Sequence, residues 1–170
     1  MELGLTIPLQ RQLRYQAPPP YGTEADRRFC WDIHVITLRG RASLLAVHCH
    51  SRYAFVLFDL PARAWADLPG VFFTGLRRSF SAAGLTGQTI ESYLDRAGAC
   101  VLTRTHGRRE VAFLNRAWDD VLALDYCMDE SSTEQPLLDH AVNRKPSRCV
   151  GFDGLAPAAE RLAISLEVRT

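Results

Sequence analysis

The chain has 170 residues, 47% of them hydrophobic, enough for one domain with a single core. Its formal net charge is only +1, although the basic residues are nineteen arginines and a single lysine, Lys145. No run of eighteen apolar residues is present, and Met1 to Thr6 lacks a basic, apolar leader, so neither a membrane span nor a signal peptide is expected.

Leu3, Leu5, Ile7, Leu9 and Leu13 predict a short strand up to Pro8 and then a helical turn. Pro18-Pro19-Pro20-Tyr21-Gly22 is an extended or looped connection. Trp31–Leu38, Leu44–Cys49 and Tyr53–Phe58 read as three strands, with turns at Arg39-Gly40-Arg41 and His50-Ser51. Spacings this short predict an antiparallel meander. Pro61 and Pro69 open helical sequence, whose apolar stripe is Phe72, Phe73, Leu76 and Phe80, with a stop at Gly84. Thr86 caps a second helix carrying Ile90, Tyr93, Leu94 and Ala97, and Gly98 ends it. Cys100–Thr105 is a further strand, and Gly107 leads into a long helix with the stripe Val111, Leu114, Trp118, Val121 and Leu122. Beyond Cys127 the pattern weakens: an acidic loop at 128–135, a helical turn or two over 137–142, and a last short helix from Pro157 to Leu162.

The fold class expected is α+β, an antiparallel β-meander with helices packed on one face. Residues 1–170 form one domain, with the core over about 3–125 and a less regular extension over 126–170. Trp31, Val47, Phe55, Leu57, Phe72, Leu76, Leu94, Leu114 and Trp118 are the expected core.

Three segments in this order carry a family resemblance. They are Trp31–Leu38 with its Arg-bearing turn, Leu44–Leu57 with the corner Ser51-Arg52-Tyr53, and Ile90 through Thr105 ending at Val111-Ala112-Phe113-Leu114-Asn115. Together they resemble the bacterial domain of unknown function DUF6933, which is sometimes fused to a plasmid ORF-3-like domain. The resemblance implies a fold and no mechanism. Where that family often has an Asn-Asp pair before the corner, this chain has His48-Cys49-His50.

Candidate chemistry is sparse. The five cysteines (30, 49, 100, 127 and 149) are odd in number and contain no C-x-x-C, which speaks against a disulfide framework and a structural zinc site and for buried thiols in a cytoplasmic protein. His48 and His50 at i and i+2 could share a metal, with His34 as a third ligand, but two ligands are too few. No metal and no cofactor are therefore expected, and no catalytic residue is assigned. Asn115, between Val111 and Trp118, is expected to be a buried structural amide.

Charge is unevenly distributed. Residues 27–116 hold thirteen arginines against six acids, whereas 117–140 hold seven acids and no Lys or Arg. Either one face awaits an anionic partner, or the two segments neutralise each other. The leading expectation is a non-enzymatic binding or accessory protein whose face of Arg39, Arg41, Arg52, Arg104, Arg108 and Arg109 meets nucleic acid or an acidic protein. One alternative is a ribonuclease-like, phosphodiester-cleaving enzyme using His48, His50 or His106 with arginines. The other is an inhibitory or immunity-type protein of mobile elements that docks on a basic partner through 119–139.

Overall fold

The computed structural model of the chain describes residues 1–166. Five strands form one mixed sheet: β1 (Glu2–Leu5), β2 (Cys30–Leu38), β3 (Arg41–His48), β4 (Ala54–Leu57) and β5 (Val101–Arg104), in the order β4-β3-β2-β1-β5. The helices are α1 (Ile7–Gln12), α2 (Ala62–Ala66), α3 (Leu68–Ala82), α4 (Gly87–Ala97), α5 (Arg108–Ala123), α6 (Pro136–Arg144) and α7 (Ala158–Leu166). Among the described residues no helix is long and apolar enough to cross a membrane.

The β2-β3-β4 meander is antiparallel as expected, with Trp31 opposite His48, Leu38 opposite Arg41 and Leu45 opposite Val56. Its β2-β3 turn places Arg39 and Gly40 at φ 48° and 74°, the two successive positive values that a tight twisted hairpin requires. The other half of the sheet corrects the expectation. β1 lies between β2 and β5 and runs parallel to both, Leu3 pairing with Trp31 and with Leu102. Both connections are long enough for a crossover, which spacing along β2–β4 alone does not reveal.

Helices on one face only is also corrected: both faces are covered. Leu3, Leu5, Trp31, Ile33, Leu44, Phe55 and Leu57 meet α3, α4 and α7 through Phe72, Leu76, Phe80, Ile90, Tyr93 and Leu162. On the other face Ile36, Leu45, Val47, Ala54 and Val56 meet α5 and α6 through Leu114, Ala117, Val121, Leu138 and Val142. Strands apolar at successive positions need this double cover. Of the expected core, Leu94 and Trp118 are only partly buried, and the others are buried.

β4 is an edge strand whose free backbone would invite another chain. Helix α6 closes it with side chains. Asn143 accepts from the Ala54 amide at 2.8 Å and donates to the Ala54 carbonyl at 2.6 Å. One turn away, Asp139 accepts from the Val56 amide at 2.9 Å.

Candidate functional site

The expected arginine face divides. Arg39 and Arg41 sit at one end of the β2-β3 hairpin and the Arg52 corner at the other, seven residue steps apart, or roughly 23 Å. Arg39 pairs with Asp125 and Glu130, and Arg41 with Asp59. Arg78 pairs with Glu134 and Lys145 with Asp120. The acidic stretch thus meets the chain's own cations, the neutralising alternative that the charge pattern left open. Arg104 holds a loop: it donates to the Pro19 carbonyl at 3.0 Å and lies over the Tyr21 ring at 4.3 Å.

Arg52, Arg109 and Arg116 come together on the outer side of α5, while Arg108 is the exposed first residue of that helix. Arg109, Phe113 and Arg116 follow the i, i+4, i+7 spacing of one helical stripe. The Arg52 guanidinium lies over Phe113 at 4.7 Å and donates to the Arg148 carbonyl at 2.6 Å. Burial first, and then Arg116, lower its pKa, with Cys149 and more weakly Asp120 acting the other way. Arg109 is paired with Glu110, whereas Arg52, Arg108 and Arg116 have no carboxylate partner among the described residues.

Asn115 is corrected: it is exposed. The buried side of α5 is Glu110, Leu114, Ala117 and Val121, turned away from the Val111 side. Hydrophobicity misjudged that stripe because Glu110 is buried against Arg109 and beside Gly107, while Leu122 is outside. The asparagine that bonds the core is Asn143.

The histidines separate too. His48 is fully buried, its Nδ1 2.7 Å from the Ser51 hydroxyl and its Nε2 2.9 Å from the Arg28 carbonyl. Burial lowers its pKa to about 4, which makes it a neutral core imidazole. His50 turns toward Phe152, 6.4 Å from the His48 ring centre, and His34 is bonded to Thr6 at 2.7 Å. These three do not converge.

A different cluster forms around His106, which follows β5. Its Nδ1 is 2.6 Å from Asp32 Oδ1, and its Nε2 is 3.1 Å from Glu2 Oε2. Both carboxylates and the imidazole are almost wholly enclosed. Glu2 Oε1 also accepts from the amides of Thr23 and Glu24 at 2.6 and 2.9 Å. Burial raises the Glu2 pKa, but those two amides and His106 outweigh it and hold the carboxyl below its usual range. Burial disfavours the charged imidazole most strongly, yet its bond to Asp32 and its contacts with Cys30 and Cys49 together outweigh that, and His106 is shifted well upward. Asp32 itself moves up, chiefly through burial, and His106 offsets part of that. An imidazolium bonded to the Asp32 carboxylate, with the two thiols beside it, accounts for the His106 direction.

Two glycines make room for this cluster. A Cβ on Gly4 would stand 2.1 Å from Asp32 Oδ1, and one on Gly22 would stand 2.1 Å from Glu2 Oε2. Two thiols complete the surroundings. Cys49 Sγ is 3.6 Å from His106 Nδ1, and burial pushes its pKa up to about 12. Cys30 Sγ lies 3.8 Å from Arg27 Nη1. Metal-ligating atoms gather in two overlapping trios that share His106, one with Glu2 and Cys30 and one with Asp32 and Cys49. Sequence spacing gave no warning, since these positions span more than a hundred residues. The signal that was present is alternation in β2, where Cys30, Asp32 and His34 interleave with Trp31, Ile33 and Val35.

A cleft of about 560 Å³ opens between α3, α6 and α7. Tyr53, Ser79 and Asp139 line it in a chain of hydrogen bonds, the tyrosine and serine hydroxyls 2.9 Å apart and Ser79 donating to Asp139 at 3.2 Å. Burial holds the Asp139 carboxyl well above its usual range. Both of its oxygens are occupied, one by the β4 edge and one by Ser79, so this network serves the fold.

No curated protein matches the sequence. The model of the domain of unknown function DUF6933 matches residues 2–155, which takes in the whole sheet, the arginine stripe of α5 and the His106 cluster, and the chain belongs to that family.

Proposed function

We propose that the protein is a non-enzymatic binding or accessory protein that meets nucleic acid through the outer face of α5. The observation behind this reading is the half-buried Arg52 guanidinium, stacked on Phe113 and repelled by Arg116, with no ion pair of its own among the described residues, since nearby Asp120 is paired with Lys145. Like charges gathered in this way are relieved by an incoming anion. Arg109 to Arg116 spans about 10 Å at 1.5 Å rise per residue, comparable to about three nucleotide steps of 3.4 Å. The arginine fork suits phosphate oxygens.

The ribonuclease-like reading has less support, because His48 and His106 are enclosed with both ring nitrogens engaged. Docking through 119–139 has less support as well, because Asp120 and Asp125 pair with the chain's own cations and Asp139 is buried.

Fluorescence anisotropy with labelled single-stranded RNA and duplex DNA tests the proposal. Arg52→Ala with Arg116→Ala should weaken binding by roughly tenfold or more, as two charge-assisted contacts are lost. Arg39→Ala with Arg41→Ala, at the far end of the hairpin, should leave it unchanged. Equal affinity in all three proteins would remove the α5 face as the site. Binding of an acidic protein but of neither nucleic acid would replace the partner class.

A further inference from the structure

We propose that Glu2, Cys30 and His106 form a binding site for one divalent metal ion of zinc-like softness. Their ligating atoms lie within 4.8 Å of one another. Glu2 Oε2 and His106 Nε2 are 3.1 Å apart, close to the roughly 3.3 Å between two ligands each about 2.0 Å from a tetrahedral zinc ion. Carboxylate, thiolate and imidazole are a zinc donor set, and three protein ligands leave a fourth position open.

The groups behind the ligands favour this trio over the one built on Asp32 and Cys49. Asp32 Oδ1 stands 2.6 Å from His106 Nδ1. That is a hydrogen-bond distance, shorter than two ligands of one ion adopt. Asp32 therefore takes the proton of the nitrogen facing away from the metal, as carboxylates behind metal-bound histidines do, and fixes the ring so that Nε2 points at Glu2. Glu2 is oriented likewise: Oε1 receives the Thr23 and Glu24 amides, which leaves Oε2 for the ion. Arg27 Nη1 stands 3.8 Å from the Cys30 sulfur. The ion takes the place of the His106 Nε2 proton and the Cys30 thiol proton, and both protons leave to solvent. Sequence spacing brings forward His48 and His50, which the fold turns apart. The fold instead brings residues 2, 30 and 106 to one point at the head of β1 and β2.

Titration of the full chain with cobalt(II), followed by optical absorption, tests the site. Wild type should show thiolate-to-cobalt charge transfer, lost in Cys30→Ser and retained in Cys49→Ser and Cys127→Ser. A wild-type spectrum without that band overturns the proposal, and so does a band that survives Cys30→Ser. X-ray absorption of the zinc-loaded wild type settles the case in which Cys30→Ser does not fold. One sulfur at about 2.3 Å with nitrogen and oxygen ligands near 2.0 Å is expected. A shell with no sulfur, or with two, overturns the assignment.

Discussion

His48 shows how a single residue can tie stability to pH. Its pKa falls from 6.5 to about 4 on folding because burial penalises the charged ring. The unfolded chain then takes up a proton between these values and the folded one does not. Stability from this group is complete above pH 6.5 and is lost as pH falls through about 4, by roughly 3 kcal/mol. Denaturant titrations between pH 7 and 4 should show that decline, and His48→Gln should flatten it. Gly4 makes an equally local prediction. Gly4→Ala drives a methyl group into Asp32 and should destabilise by about 1–3 kcal/mol. Gly87→Ala, at the start of α4 with open space around it, should stabilise by up to about 1 kcal/mol. Thermal denaturation of the two variants separates them. Neither glycine's role was legible in the sequence, since the partner of Gly4 is twenty-eight residues away on a neighbouring strand.

At the scale of elements, sequence periodicity read the antiparallel half of the sheet and the α3 stripe of Phe72, Leu76 and Phe80. It failed where polar atoms govern packing. β4 is apolar on both sides yet lies at the sheet edge, because Asp139 and Asn143 take the place of a neighbouring strand. Helix α5 turns its Glu110 inward, and that rotation carries Asn115 to solvent. Two substitutions therefore contrast the asparagines. Asn143→Ala leaves the Ala54 amide and carbonyl without partners and should cost about 1–3 kcal/mol. Asn115→Ala should fall within about 0.5 kcal/mol of wild type. Urea unfolding of the pair checks this, and equal losses would contradict the account of α5.

At the scale of the whole molecule, the near-zero net charge conceals two arrangements. At the hairpin end and along α3, arginines are matched by acids of the 120–134 stretch. At α5 the match fails: Arg52, stacked on Phe113, and the exposed Arg108 and Arg116 of the helix have no ion pair among the described residues. Composition revealed the imbalance between segments but not which arginines it left over, because that depends on which turns face the acidic loop. The measurement that addresses the central claim most directly is the slope of log K against log[salt] for nucleic-acid binding, in wild type and in a variant with Arg52, Arg108 and Arg116 all changed to alanine. Each phosphate contact contributes about −0.9 on duplex DNA and about −0.7 on a single strand. Losing three contacts should therefore flatten the slope by about 2–3 while the protein stays folded. An unchanged slope and affinity in the folded variant would contradict the α5 face as the binding surface.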